Sequence, residues 1–150
     1  MSTNKIKQIT LAILKPEIVQ MRLKTEAVFE RIHNEGFEIV QQRTFQFSPA
    51  QAKRFYYPKR SKFYFKRCIR YIITGPVIAC ILSKHNAIED FSILVKGKEG
   101  CRENSLRARF ASNETMNAIH CSDTQDDVRR EIRLIFPNFN HEPWYPKYPE

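Results

Sequence analysis

The 150-residue chain is 42% hydrophobic and carries a formal net charge of +9, which excludes a disordered tail and favours polyanionic partners. These are phosphates, nucleotides, nucleic acid or an anionic membrane surface. No apolar run approaches the roughly 18 residues of a membrane span. The four cysteines are widely spaced without a C-x2-C pair, which argues against zinc and indicates reduced thiols in an intracellular protein.

The first half of the chain predicts a strand, a helix and a second strand. An apolar run over residues 8–15 stops at Pro16 and predicts a buried strand. Apolar residues then recur at helical spacing over residues 19–34, and Gly36 is placed to end that helix. Residues 37–47 are rich in β-branched and aromatic side chains, which predicts the second strand.

The middle of the chain predicts further helices around a third strand. Ser48 and Pro49 have the pattern of an N-cap and a first helical residue, and the short helix that follows breaks at Pro58. The elements expected next are a helix over residues 63–74, a buried strand over residues 77–82 and a helix over residues 86–95.

The last third begins with a polar, basic stretch over residues 96–115, which predicts a long irregular loop. Residues 116–120 predict a short fourth strand. Ser122 and Gln125 have capping-box spacing, so we expect the last helix to begin beside them and to end at Pro137.

The predicted order is β-α-β-α-β-α-β-α within a single domain, residues 1–150. Its core spans about residues 8–137, and residues 138–150 form an extended tail with an aromatic anchor. This order predicts an α+β fold of the split βαβ type, with a four-stranded antiparallel sheet and helices on one face.

His120 stands at the end of the predicted fourth strand. A neutral imidazole can attack a phosphoryl group when one ring nitrogen is exposed and the other is hydrogen-bonded. Glu131, about two helical turns further on, is placed to accept that bond, and Ser122 is placed to add a hydroxyl contact. Taken alone the pattern is weak, because a histidine at a strand end is usually ordinary surface decoration.

Basic and aromatic candidates lie elsewhere in the chain. Lys15 ends the first strand, where a lysine either neutralises phosphate or simply reaches solvent. Arg107 and Arg109 suit forked contacts to phosphates or a solvated loop. Tyr56 and Tyr64 suit stacking on a base, although core packing is the commoner role of an aromatic residue.

Together these motifs resemble those of nucleoside diphosphate kinases. "TLAILKPEIV" resembles the family's T-x-A-x-x-K-P-D-x-V opening, "TGPVIACIL" is similar to its S-G-P-V segment, and "NAIHCSDT" resembles its N-x-x-H-G-S-D signature. The resemblance covers about residues 8–137, in the family's order. The tail resembles most closely the divergent nucleoside diphosphate kinase 6 branch.

This resemblance implies a ferredoxin-like sandwich and ping-pong transfer of a γ-phosphate between nucleoside tri- and diphosphates through a phosphohistidine. Family members usually form hexamers, so the chain is expected to form a homo-oligomer or to join related kinase subunits. The nucleophile would be His120, supported by Ser122 and Glu131. Mg²⁺ would be held by the nucleotide phosphates, without a direct protein ligand.

The resemblance also implies a set of nucleotide contacts. Lys15 and Tyr56 would lie near the transferred phosphate, and Arg107 would bind phosphate. Asn117 would hydrogen-bond the sugar, and Tyr64 occupies the place of the base-stacking phenylalanine.

Part of the family's phosphate-binding set is missing. Its usual arginine falls at about Ser92 and its usual threonine near Lys98. Ser92 cannot supply a charge-assisted phosphate contact worth about 1.5–3 kcal/mol. Lys96, Lys98 or Arg102 would restore the charge without restoring the geometry.

Ala108 and Cys121 stand where the family has glycine, and Cys121 is expected to crowd His120. Two functions are therefore left open. The favoured one is a working, slow phosphotransferase, because the histidine, asparagine and lysine are retained together. The alternative is an inactive kinase-like module that binds nucleotide, nucleic acid or a partner kinase subunit. Either would act inside the cell, and the sequence does not decide between cytoplasm and mitochondrion.

Overall fold

A computed structural model describes residues 7–145. Its sheet has four strands, which are β1 (Lys7–Leu14), β2 (Glu38–Phe45), β3 (Val77–His85) and β4 (Ile119–Cys121). They lie in the order β2-β3-β1-β4, and every neighbouring pair is antiparallel. This is the split βαβ arrangement, so the predicted α+β, ferredoxin-like fold is confirmed.

Within residues 7–145, seven α-helices connect and cover the strands. They are α1 (Pro16–Val19), α2 (Arg22–Asn34), α3 (Pro49–Tyr56), α4 (Phe65–Ile72), α5 (Ala87–Lys96), α6 (Leu106–Phe110) and α7 (Gln125–Ile135). Two details differ from the prediction. The first helix is interrupted between Val19 and Arg22, and the expected loop over residues 96–115 contains α6, whose first turn Ser105 caps.

Helices cover both faces of the sheet, so the prediction of one covered face is wrong. On one face Leu14 of β1 packs with Phe91 of α5. On the other face Leu11 packs with Ile132 of α7. The missed signal is the unbroken apolar run of β1, because a strand with only one buried face would alternate apolar and polar residues.

The N-cap of α7 is Thr124, whose hydroxyl accepts a hydrogen bond from the Asp127 amide at 3.1 Å. The predicted cap at Ser122 is therefore wrong. By contrast, Ser48 caps α3 as expected, and Gln51 completes a capping box there. Because Thr124 and not Ser122 caps α7, the Ser122 hydroxyl is free to form a hydrogen bond elsewhere.

The chain beyond α7 folds back against the domain. Phe139 and Trp144 pack against the core between α7 and the sheet, and the guanidinium of Arg129 lies 3.7 Å from the Tyr145 ring centroid. The rest of the predicted tail, residues 146–150, lies outside the described residues. In the part of the chain that the structure covers, no helix is long and apolar enough to span a membrane.

The cap at Thr124 gives the first prediction. Thr124→Ala removes an acceptor for the first turn of α7, and we expect the free energy of unfolding to fall by about 1 kcal/mol. Urea unfolding measures the change. The matched control is Gln125→Ala, at the neighbouring exposed position, which should change stability by less than about 0.5 kcal/mol. Equal losses in both variants would contradict the assigned cap.

Candidate active site

His120 is presented by β4 and held by α7. Its Nε2 lies 2.7 Å from Oε1 of Glu131. Because an ionised carboxylate only accepts hydrogen bonds, Nε2 carries the proton and Nδ1 keeps the lone pair of the neutral ring. The Phe55 ring meets the imidazole edge-on, with centroids 5.0 Å apart. The ring orientation is thus fixed from two sides.

Glu131 is a nearly buried carboxylate whose side chain is 6% exposed. Besides His120, it accepts a hydrogen bond from the Ser122 hydroxyl at 2.7 Å, and Arg130 lies 3.6 Å from its other oxygen. Burial alone would raise the pKa of Glu131. The interaction with the His120 ring, together with the hydrogen bonds from His120 and Ser122, outweighs burial and lowers that pKa. Glu131 therefore stays ionised at neutral pH.

Lys15 ends β1 inside the same site and is only 5% exposed. Its ammonium donates a hydrogen bond to Asn117 Oδ1 at 2.5 Å. Burial, with repulsion from Arg107, lowers the pKa of Lys15 to about 8. Among the described residues no carboxylate forms an ion pair with Lys15, and an approaching anion would stabilise its charged form.

The backbone before His120 takes an unusual conformation. Ala118 has φ of 74°, in the left-handed region that a residue with a Cβ rarely adopts. Its carbonyl accepts from the Lys15 amide at 2.9 Å, and its own amide donates to the Glu17 carboxylate at 2.8 Å. These two bonds hold the strained residue and fix the end of β1 against the start of β4.

The site residues meet in one pocket of about 350 Å³. Seven of the eight residues predicted for the site line it, namely Lys15, Tyr56, Tyr64, Arg107, Asn117, His120 and Glu131. Ser122 lies behind them, bonded to Glu131. Six basic residues line the pocket against four acidic ones, so it favours a polyanion. Arg109 bonds to Asn104 on the exposed side of α6 and does not line this pocket.

Two lining side chains are donors without a competing partner. Burial strongly raises the pKa of Tyr56, so its phenol stays protonated. Arg107 donates from Nη2 to the Ile119 carbonyl at 3.3 Å, while its buried Nε has no partner among the described residues. The Nε of Arg107 is therefore available to an acceptor that enters the pocket, and such a bond would offset the cost of its burial.

Of the three cations suggested as substitutes for the missing arginine, Lys96 is the one that lines the pocket. Its ammonium lies 2.7 Å from Oδ1 of Asp123. Lys98 lines a separate pocket beside Phe37. Arg102 packs against Gly97, where a Cβ would lie 2.8 Å from the Arg102 backbone, and it does not line the active-site pocket.

Cys121 does not crowd His120 in the way the sequence suggested. Neighbouring residues of a strand point to opposite faces, and Cys121 pairs across the sheet with Ala12 while His120 pairs with Ile13. Cys121 is 4% exposed in the core that includes Phe91, and Ser92 lies beside its thiol. Burial raises the pKa of this thiol.

The sequence missed two residues that support His120. Phe55 contacts the His120 ring, and Arg130 donates to the Phe55 carbonyl at 3.1 Å, which ties α7 to α3. Nothing marked them, because a phenylalanine on a short helix and an arginine next to a glutamate are both commonplace. Within residues 7–145, no group of three or more His, Cys, Asp and Glu side chains is arranged to hold a metal ion.

Comparisons with known proteins show which chains this sequence resembles. The family model for nucleoside diphosphate kinase matches residues 8–141. Nucleoside diphosphate kinase 6 of Rattus norvegicus is 32% identical over 143 residues, which cover 92% of this chain and 82% of that protein. Nucleoside diphosphate kinase homolog 5 of Homo sapiens is 37% identical over 139 residues, covering 89% and 64%.

A comparison with solved structures also finds a nucleoside diphosphate kinase. The Aquifex aeolicus nucleoside diphosphate kinase superposes with a TM-score of 0.79 at 31% identity, covering 87% of this chain and 95% of that one. The split βαβ fold of this chain is therefore shared with a nucleoside diphosphate kinase of known structure. The chain belongs to the nucleoside diphosphate kinase family, and the predicted likeness to the kinase 6 branch is confirmed.

The second prediction concerns Lys15. Its folded pKa of about 8 lies below the ordinary 10.5, so between these values the unfolded chain holds more protons and stability rises with pH. Lys15→Met carries no such charge. We expect its stability advantage over the wild type to shrink by about 2 kcal/mol between about pH 7.5 and pH 10. Urea unfolding at both pH values measures this, and a constant difference would contradict it.

Proposed function

We propose that the protein is an active nucleoside diphosphate kinase that carries the γ-phosphate of a nucleoside triphosphate on His120. The observation that supports this most is the 2.7 Å bond between His120 Nε2 and Glu131. It leaves Nδ1 as the nucleophilic nitrogen of a histidine that lines a basic pocket. A merely structural histidine has no need of a buried carboxylate and an excess of cations around it.

The reaction would proceed in two halves. Nδ1 attacks the γ-phosphorus, the bond to the bridging oxygen breaks, and its electron pair leaves with the nucleoside diphosphate. Positive charge develops on the imidazole, and the ionised Glu131 stabilises it through the Nε2 proton. A second nucleoside diphosphate then attacks the phosphohistidine with a terminal β-phosphate oxygen, which restores the neutral ring.

The phosphates would be held by groups that are already aimed into the pocket. Lys15 is buried and has a pKa of about 8, close to neutral pH. A bound polyphosphate would therefore favour its protonated form. The unpartnered Nε of Arg107 and the protonated phenol of Tyr56 are donors for phosphate oxygens. In a loose transition state the charge is spread over these oxygens, so fixed donors stabilise it directly.

The nucleoside would lie between Asn117 and Tyr64. Asn117 already accepts from Lys15 and donates to the Glu114 carbonyl at 3.0 Å, which fixes its amide beside the expected position of the sugar. Tyr64 meets the Phe63 ring edge-on, with centroids 5.3 Å apart. A tyrosine ring stacks on every base, which suits an enzyme of broad nucleotide range.

Mg²⁺ fits this site as an ion that arrives on the nucleotide. The pocket wall offers the carboxylates of Asp123 and Asp127, and the Lys96 hydrogen bond and charge lower the pKa of Asp123 against the effect of its burial. Such carboxylates suit a hydrated cation whose other ligands are phosphate oxygens. When bound, Mg²⁺ would neutralise charge on the β- and γ-phosphates.

One observation favours the alternative of a nucleotide-binding module without turnover. By the resemblance, Ser92 occupies the place of the family's arginine, and it lies beside Cys121. The phosphate cradle therefore lacks one fixed cation. The two functions share the pocket and differ in whether His120 accepts phosphate.

The third prediction separates them. Incubation with γ-labelled ATP and Mg²⁺ should give an acid-labile, base-stable label that a nucleoside diphosphate removes. His120→Ala should carry no label. The matched control is His33→Ala, an exposed histidine on α2, which should label like the wild type. An unlabelled wild type that still binds ADP would overturn the kinase and leave the binding module.

The fourth prediction concerns Lys96, whose side chain is 38% exposed and paired with Asp123. If Lys96 replaces part of the missing arginine's charge, Lys96→Gln should weaken ADP binding about 5-fold, since partial exposure screens the contact. Lys98→Gln, two residues away and outside the pocket, should leave the affinity unchanged. Calorimetric titration with Mg-ADP measures both, and equal effects would remove the role of Lys96.

A further inference from the structure

Positive charge is concentrated next to the pocket, in residues 57–71, which we call the basic segment. No acidic residue occurs between Glu38 and Glu89. Within that interval, the basic segment carries six cations in twelve positions, namely Lys59, Arg60, Lys62, Lys66, Arg67 and Arg70. It spans the 3-10 turn Tyr57–Lys59, the following loop and most of α4.

All six cations are exposed. Among the described residues none of them pairs with a carboxylate. Arg60 instead donates to the Tyr57 carbonyl at 3.3 Å and lies 4.4 Å from the centre of the Tyr57 ring. Six like charges without an ion-pair partner repel one another, so they favour a polyanionic partner.

Exposed aromatic rings are interleaved with these charges. Phe63 is 83% exposed and Tyr57 is 50% exposed, so neither ring is there chiefly to fill the core. Tyr64 meets Phe63 edge-on and continues the row of rings into the pocket. Cations alternating with open aromatic faces are typical of surfaces that bind unpaired bases and their phosphates.

The apolar side of α4 is already occupied. Ile72 is 1% exposed, and the half-buried Ile69 packs against the same core. Membrane-surface helices need a free apolar face to insert, and in the basic segment Phe63 is the one large aliphatic or phenyl side chain that is mostly exposed. The surface therefore favours a nucleic acid over a lipid bilayer.

The charges also extend further than one nucleotide would need. Lys59 and Arg67 line the active-site pocket, but the other four cations do not. Lys66 and Arg70 lie one helical turn apart on α4, so they face the same side. The basic surface thus continues from the mouth of the pocket along the outside of α4, where it suits a chain of phosphates.

We propose that the basic segment is a docking surface for single-stranded nucleic acid. Its phosphates would contact the six cations, and its unpaired bases would stack on Phe63 and Tyr57. Lys59, Phe63 and Arg67 also line the active-site pocket, but the surface extends beyond it, and binding there requires no turnover at His120. The bases would bind by stacking their aromatic faces on these rings. Because every base can stack, binding would depend little on nucleotide sequence.

The test is fluorescence anisotropy with the full chain and a labelled 12-nucleotide oligo-U. If about five phosphates are contacted, the affinity should fall about 100-fold between 50 and 200 mM salt. A duplex of the same length, whose bases are not free to stack, should bind at least several-fold more weakly. Affinity that does not change with salt, or equal binding of the duplex, would overturn the proposal.

Two variants with matched charge locate the site. The surface variant carries Arg60→Gln, Lys62→Gln, Lys66→Gln and Arg70→Gln. The control variant removes the same number of positive charges from exposed positions elsewhere, through Lys7→Gln, Arg22→Gln, Lys98→Gln and Arg102→Gln. The surface variant should lose at least 30-fold in affinity at 50 mM salt, and its logarithmic salt slope should decrease by about 3. The control should stay within about 3-fold, and equal losses would overturn the site.

Two further arms separate this proposal from its rivals. Phe63→Ala should weaken oligo-U about 10-fold without changing the salt slope, because it removes stacking and no charge. His120→Ala should keep the wild-type affinity for oligo-U, so an inactive kinase would leave this proposal intact. Binding of phosphatidylserine vesicles that the surface variant abolishes, with no binding of oligo-U, would assign the segment to membranes and overturn the proposal.

Discussion

The site depends on one desolvated carboxylate. Glu131 is nearly buried, and a buried charge is tolerated only when donors surround it. His120 and Ser122 donate to one of its oxygens, and Arg130 lies near the other. These three groups come from different parts of the local structure: β4, the turn after it, and α7 itself. Satisfying this carboxylate therefore fixes how the last strand, the turn and the last helix meet.

The other half of the site is held through the backbone. Lys15 ends β1, and its amide bonds to the carbonyl of Ala118, two residues before His120. Glu17 accepts the amide of the same strained residue. These bonds bring together two segments that are about a hundred positions apart, so lysine and histidine keep their spacing without a direct contact. The strain at Ala118 is local, and two hydrogen bonds and the sheet around it maintain it.

The sequence predicted those features that a local pattern encodes. The apolar run of β1 and the ordered motifs gave the sheet topology, and the motifs named seven residues that line the pocket. It failed where the answer depends on packing between distant elements. Capping-box spacing alone could not reveal that Ser122 bonds to Glu131, because Thr124, a competing cap, stands two residues later. The sequence also could not distinguish Lys96 from Lys98. Lys96 is the last residue of α5 and Lys98 lies beyond it, so the position of the helix end determines which side chain lines the pocket.

The departures from the family's motif are coupled in space. Ser92 and Cys121 are neighbours in the structure. By the resemblance, Ser92 on α5 is smaller than the family's arginine, and Cys121 on β4 is larger than the family's glycine. Neither side chain carries the positive charge that the resemblance leads one to expect at the position of Ser92. Lys96 carries positive charge in the last turn of the same helix, where the helix dipole favours a cation, and it lines the pocket. A pocket arranged this way would hold polyphosphate more by its surrounding field than by one forked contact.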